Sequence, residues 1–426
     1  MMRMSGDTFV IEGLSGKKLL SGTIPVYGAK NAVLPIMAAA ALLEGETKLA
    51  NVPGITDVGS MSRLLEDLGA FVTQTGKEMT ISAKGVSGTV LNPDIAKLMR
   101  ASIVLTGPIL ARMGQVTFPH PGGDVIGERP IDIFVSGFKK LGATYTETAE
   151  SYTLSAPGGL SGGEFFFRIV SVTATETIMM AAVLAKGPVT LKNCAMEPEV
   201  IAVADFLISC GAQIEGAGTP TIRIKPSVLH VPENVCSIIP DRIEATTFLA
   251  LGALAGEELQ ITNIEPSHLD AVLDMFSAAG VTFSITKNAI TVRAPEKFNP
   301  VKLRTHEYPG FPTDGQAPMT ILLTQAEGES AIYETIFDGR LRYIDELTGM
   351  GANVTVVNPH RANVKGSTPL TGRDIATPDI RAGLAFILAA AIADGKSNIG
   401  NAHLIDRGYE KIEERLSAVG LSIKRV

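Results

Sequence analysis

Two apolar patterns alternate along the chain. In the first, residues 36–45, 102–111, 178–187, 248–256, 319–328 and 384–393 run with almost no polar interruption. A helix without a polar face has to lie inside a domain, so each run predicts a buried helix. In the second, shorter amphipathic stretches end at Gly69, Gly142, Gly211, Gly280, Gly351 and Gly420. Glycine there is what a left-handed helix C-cap requires. Beyond these glycines polar and apolar residues alternate and β-branched residues are common, as in 143–148 and 152–156, which predicts pairs of strands.

The glycines recur about every 70 residues, long enough for several elements per repeat. Six such units, each with a buried helix, an outer helix and strands, divide into two α/β domains of three. The sixth unit ends at Val426 with one strand and no partner, while the N-terminus offers a spare strand at 8–13. An open sheet edge needs covering, so that strand is expected to complete the C-terminal domain. The chain then crosses near 21–29 and 230–240, giving one domain at 22–238 and another at 1–21 plus 239–426. A cleft between domains is a favoured ligand site.

Composition narrows the class. Of the 426 residues 45% are hydrophobic and 19% charged, which excludes general disorder. Lys+Arg 37 against Asp+Glu 44, a net charge of -7, argues against nucleic acid as a partner. Cys194, Cys210 and Cys236 share no C-x-x-C spacing, which disfavours a disulfide framework or a metal site and fits a reducing cytoplasm. No apolar h-region follows the first residues, so no export signal is expected. The apolar runs are shorter than the ~18–20 residues that span a bilayer, so no membrane partner is expected. Oligomeric state leaves no trace in this pattern.

Three loops break the repeat with clustered polar residues. In Tyr27-Gly-Ala-Lys-Asn31, Lys30 at a helix start opposes the helix dipole unless an anion also binds; the alternative is a solvated lysine with Asn31 as N-cap. The Gly/Pro-rich stretch 120–132 is long enough for a lid, and its Asp124 is either a turn former or catalytic. Asp314, just before the fifth buried run, is either an N-cap or a general base. Arg100, Arg129, Arg340, Arg381 and Arg407 stand at unusual places. With Lys30 they suit a small, densely anionic ligand, because a guanidinium grips two oxygens at once. No P-loop or convincing Rossmann fingerprint is present, and no cofactor is implied.

Seven segments in order carry a resemblance over nearly the whole chain: Gly28-Ala-Lys-Asn-Ala32, Arg100-Ala-Ser-Ile103, Pro121-Gly-Gly-x-x-Ile-Gly-x-Arg-Pro-x-Asp132, Glu197-Pro-Glu199, Phe311-Pro-Thr-Asp-x-Gln-Ala317, Glu334-Thr-Ile-Phe337 and Ile405-Asp-Arg-Gly-Tyr409. The chain resembles the UDP-N-acetylglucosamine 1-carboxyvinyltransferases, enolpyruvyl transferases of the EPSP synthase superfamily. That resemblance implies a two-domain inside-out α/β barrel with a lid at 114–132. It implies transfer of enolpyruvyl from phosphoenolpyruvate to the 3′-hydroxyl of UDP-N-acetylglucosamine, through a tetrahedral intermediate, with release of phosphate. Lys30, Arg129 and Arg407 would hold the phosphate, Arg340 and Arg381 the carboxylate, and Asn31 the intermediate. Arg100 would shape the site. Arg129, Pro130, Ile131, Asp132 and Ile133, together with Val170, Ser171, Val172 and Ile336, would contact the UDP-sugar, and Asp314 would be the base for its hydroxyl.

The sequence departs from the resemblance at Asp124, where most such proteins carry the lid cysteine that fosfomycin alkylates. A carboxylate has a reference pKa of ~3.9. It serves as general acid only where burial raises that value against the pull of Arg129. Ile169 and Thr173 replace a common Lys and Gly. Two rival readings remain: a 3-phosphoshikimate 1-carboxyvinyltransferase, whose Ser-Lys-Ser first loop is absent, and a noncatalytic UDP-sugar-binding paralogue, which would have no need of the phosphoenolpyruvate clamp.

Overall fold

Parallel strands need a crossover of a dozen or more residues between them, and the apolar runs supply it. In the computed structural model, which describes residues 7–120, 122–123, 126–127 and 130–426, strand Asp374–Ala376 leads into helix Ile380–Ile392, which returns to the parallel strand Lys396–Gly400. Lys302–Arg304, Gln316–Leu323 and Gly328–Tyr333 repeat this arrangement, as do Gly163–Phe166, Val172–Ala182 and Val189–Lys192. Antiparallel strands then extend each sheet outward. Among the described residues there are six small sheets, five four-stranded and one three-stranded. No helix among them is long and apolar enough to cross a membrane.

The chain forms two compact units. One holds residues 7–27, 126–127 and 240–426. Its three buried helices, Arg242–Ala255, Gln316–Leu323 and Ile380–Ile392, pack on one another. Strand Thr8–Glu12 lies antiparallel between Lys396–Gly400 and Ser422–Arg425. Arg415 donates to both oxygens of Glu244, at 2.6 and 2.9 Å, and its guanidinium lies 4.2 Å from the Tyr27 ring centroid. The Tyr27 N–H donates to Glu244 and the Tyr27 carbonyl accepts from Asp241 N–H, both at 2.9 Å. The segments 7–27 and 240–426 are therefore clamped together at their junction.

The second unit holds the described residues of 28–123 and 130–239. Helices Lys30–Ala40, Val172–Ala182 and Pro198–Ser209 pack together there. The run 102–111, expected as one helix, is a 3-10 turn over Arg100–Leu105 followed by helix Thr106–Met113. Pro108 lacks the N–H that a continuous helix would use, and a Cβ on Gly107 would stand 2.2 Å from the Thr177 carbonyl. The other buried helices start upstream of their apolar runs, at Lys30, Val172, Arg242, Gln316 and Ile380, because their first turns are polar.

A second periodic feature follows the strands. Asn51, Asn193, Asn263 and Asn401 all adopt left-handed φ between 53 and 58°, each directly after a strand that has a parallel neighbour. Asparagine tolerates that conformation better than other non-glycine residues. Their side-chain amides donate to the carbonyls of Ile238, Phe167, Val26 and Thr377 beside the parallel neighbour, stitching the strand pair where the helix departs. After strand Gly328–Tyr333 the place is taken by Glu334, and after Gln115–Pro119 by His120.

Within the second unit Glu176 is buried, and its Oε1 has no hydrogen-bond partner among the described residues. Burial raises its pKa well above the usual range, and Glu199 and Glu197 add to the effect. A carboxyl with a raised folded-state pKa favours the fold fully below its unfolded value of ~4.3 and loses that contribution as pH rises through the folded value, at up to about 1.4 kcal/mol per pH unit. Glu176→Gln is therefore expected to melt like the parent near pH 4 and increasingly above it toward pH 8. Thermal melts across that range check this, and a gap that stays constant with pH would refute it.

Candidate active site

The polar first turns of the buried helices collect the candidate residues. In the first unit Asp314 lies in the 3-10 turn Thr313–Gly315 that leads into Gln316–Leu323. The N-cap alternative does not hold, because Gly315 is the cap and no side chain serves that helix start. Instead Asp314 Oδ1 accepts from Arg340 Nη2 at 2.5 Å and Oδ2 from Arg381 Nε at 2.8 Å. Burial alone would raise the Asp314 pKa, but Arg381 and then Arg340 outweigh it and hold the carboxyl well below the usual range.

The neighbouring elements fix both arginines. Arg381 sits in the first turn of Ile380–Ile392, where Asp379 accepts from its backbone N–H at 2.9 Å. Its Nη1 donates to Tyr409 Oη at 2.8 Å. Arg340 opens the 3-10 turn Arg340–Tyr343, and its buried Nε has no hydrogen-bond partner among the described residues. Glu334 orders the approach from both sides. One oxygen accepts from the N–H groups of Ile336 and Phe337 at 2.9 and 3.2 Å, and the other from Thr313 Oγ1 at 2.9 Å. Ile336 is half-buried. Arg407 is half-buried in the turn after Ala402–Leu404. The preceding Asp406 receives two bonds from Arg425, at 2.6 and 2.8 Å, which tie that turn to the last strand.

In the second unit Lys30 is the first residue of its helix, with Nζ 3.0 Å from the buried Asp57 of helix Thr56–Asp67. Asn31 is exposed and is not the cap; that position belongs to Ala29. Arg100 begins the 3-10 turn Arg100–Leu105 and is half-buried. Gly122 and Gly123 press on this stretch so closely that a Cβ would stand 1.9 Å from the Lys97 carbonyl or 2.9 Å from Arg100 N. Pro130 is exposed, Ile131 buried, and helix Asp132–Lys140 opens with an exposed Asp132 and a buried Ile133. Val170 and Val172 are half-buried, and between them Ser171 caps Val172–Ala182 by accepting from Ala174 N–H at 3.3 Å. Asp124 and Arg129 lie outside the described residues.

Each unit thus gathers cations at the starts of helices whose dipoles already favour anions. The structure brings Asp314, Arg340 and Arg381 into one cluster and gives Lys30 a buried counter-charge. Asp57 and the ordering role of Glu334 escaped sequence reading: an aspartate in a first helical turn looks like any helix start, and Glu334 stands out only once the asparagine series is seen. Tyr409 was visible only as part of a motif.

Comparison with known proteins gives a consistent result. Residues 14–416 match the family EPSP synthase (3-phosphoshikimate 1-carboxyvinyltransferase). The UDP-N-acetylglucosamine 1-carboxyvinyltransferase of Acidobacterium capsulatum is 43% identical, covering 99% of this chain and 96% of its own. That of Solibacter usitatus is 42% identical, covering 99% and 100%. Among solved structures, the enolpyruvyl transferase NikO from Streptomyces tendae superposes with a TM-score of 0.89 at 25% identity, over 99% of both chains. EPSP synthase from Acinetobacter baumannii shares the fold, with a TM-score of 0.73 at 18% identity over 99% of this chain and 100% of its own.

The Tyr409 hydroxyl bonds a buried guanidinium, and a hydrogen bond to a charged group contributes about 1.5–3 kcal/mol. Tyr409→Phe is expected to lower the unfolding free energy by that amount while preserving the fold. Urea denaturation followed by circular dichroism measures it, and no shift of the midpoint would contradict the assignment.

Proposed function

The chain belongs to the EPSP synthase family, among its UDP-N-acetylglucosamine 1-carboxyvinyltransferases, and on that premise we propose how its residues divide the chemistry. The enzyme transfers enolpyruvyl from phosphoenolpyruvate to the 3′-hydroxyl of UDP-N-acetylglucosamine and releases phosphate, the step that opens peptidoglycan precursor synthesis. Arg340 and Arg381 bind the carboxylate of phosphoenolpyruvate, and Lys30, Arg129 and Arg407 its phosphate. Asn31 holds the tetrahedral intermediate. Arg100, the stretch 129–133, Val170, Ser171, Val172 and Ile336 receive the UDP-sugar. The observation that carries this division is the Asp314 carboxylate lodged between two buried guanidinium groups.

Asp314 takes the proton of the 3′-hydroxyl as its oxygen bonds to C2 of phosphoenolpyruvate, and the C2=C3 electron pair takes a proton at C3 from Asp124. Asp124, left as a carboxylate, takes a proton back from C3, which restores the double bond as the C2–O bond to phosphate breaks, and the departing phosphate takes up the proton that Asp314 received. Cations placed in advance where charge develops supply much of such a rate enhancement. Lys30 is well suited to this, since Asp57 balances its charge and fixes its position until an anion arrives. We place the reaction in the cytoplasm, consistent with three free thiols at Cys194, Cys210 and Cys236.

Purified protein with phosphoenolpyruvate is expected to release phosphate when given UDP-N-acetylglucosamine and not when given shikimate 3-phosphate. Lys30→Ala should lower kcat at least about 100-fold, the scale of losing one preorganised charge partner. Measurable UDP-sugar binding without phosphate release would instead favour a regulatory paralogue. A second expectation concerns Asp124: a carboxylate attacks an epoxide far more slowly than a thiolate, so fosfomycin should not inactivate the enzyme with time. Progressive loss of activity at low drug concentration would refute this.

A further inference from the structure

A carboxylate already sits where the proposed division of labour needs two arginines to receive one from the substrate. Asp314 spans Arg340 and Arg381 with one oxygen on each, at 2.5 and 2.8 Å. The same donors cannot serve a second carboxylate with the same geometry. We propose that Asp314 is a built-in stand-in for the substrate's carboxylate: it occupies Arg340 and Arg381 in the empty enzyme, and the carboxylate of phosphoenolpyruvate exchanges with it, which frees Asp314 to act as the base. This rests on the reading of Arg340 and Arg381 as the carboxylate site.

Three features make Asp314, and not the arginines, the partner that moves. The arginine side chains are only 4% and 6% exposed, whereas that of Asp314 is 24% exposed, so the acid is the partner with a way out. Its backbone stays in place when it leaves, because Glu334 holds the hydroxyl of the adjacent Thr313. The arginines are also not saturated: Arg340 Nε is buried without a partner among the described residues, and a ligand carboxylate can use it. Arg381 meanwhile remains oriented by Tyr409 and lies in the field of Asp241.

The exchange also changes what Asp314 can do. Paired as it is, the carboxylate is a weak proton acceptor. Once the substrate's carboxylate takes its place on the guanidinium groups, their hold on Asp314 weakens and its pKa moves back up toward the usual carboxylate range. The base is therefore withheld until the electrophile is present, so an acceptor hydroxyl bound alone is not deprotonated.

Asp314→Asn removes the competing charge and keeps the shape. An apparent affinity is reduced by the fraction of protein in the competent state, so a stand-in that occupies the arginines about 90% of the time weakens phosphoenolpyruvate binding about tenfold. Calorimetry is expected to show phosphoenolpyruvate binding about tenfold more tightly to Asp314→Asn than to the parent, and inorganic phosphate binding within about threefold of the parent. Equal or weaker phosphoenolpyruvate binding overturns the proposal. Equal tightening of phosphate overturns it too, since that is a general charge effect. A second measurement needs no variant: in a crystal of the parent enzyme with phosphoenolpyruvate, Asp314 should have left both arginines, and intact ion pairs beside bound substrate would refute the exchange. A parent enzyme that releases no phosphate from phosphoenolpyruvate and UDP-N-acetylglucosamine sinks the functional reading. An active parent whose Asp314→Asn form binds no tighter sinks the exchange alone.

Discussion

A helix covered on every side can be polar only at its ends, and the chemistry of this protein follows from that constraint. The runs that cross over between parallel strands are mostly apolar, so ionisable side chains concentrate where the chain enters the helix. Those entries also carry N–H groups that have no partner within the helix, and the positive end of the dipole. Lys30, Ser171, Asp241, Asp314 and Arg381 all stand at such entries. The fold thus directs ionisable groups and anion affinity to the same places.

Concentrating charge where water is scarce is expensive unless each charge is answered. Among the described residues of the candidate site, Asp57 answers Lys30 and Asp314 answers Arg381 and Arg340, and elsewhere in the fold Glu244 answers Arg415 in the same way. Neutral groups complete the pairs, with Tyr409 on Arg381 and the Thr313 hydroxyl on Glu334. A pair held this way is both a structural joint and a reserved binding place, and which role dominates depends on whether a competing anion can reach it. Arg415 keeps Glu244 because both are sealed, with side chains 6% and 3% exposed.

Much of the architecture could be read in advance because burial leaves a compositional mark. The apolar runs revealed the crossover helices, and the C-cap glycines at positive φ punctuate the outer ones. The helices begin ahead of the apolar runs that predict them, since a polar first turn looks like loop until one knows that it faces a site. Pro108 and Gly107 divided a run that composition alone presents as continuous. The asparagine joints went unseen because one residue type at long spacing is faint beside whole apolar runs. Most of the candidate residues could be named through resemblance, yet their mutual arrangement could not: nothing in the order of residues says that Asp314 answers two arginines, 26 and 67 positions away, or that Asp57 answers Lys30.

The seating of the first strand governs how the chain can be assembled. Thr8–Glu12 is bracketed by Lys396–Gly400 and Ser422–Arg425, and Leu20–Pro25 pairs with Gly256–Thr262. Synthesis proceeds from the N-terminus, and domains generally fold as units when their residues have emerged. Residues 28–239 emerge with their own sheets complete, while the segment ahead of them still lacks every strand it will pair with. Contacts at nearly the full sequence separation are the slowest to close. Thr8–Glu12 and Leu20–Pro25 therefore wait for partner strands that are made more than 200 residues later.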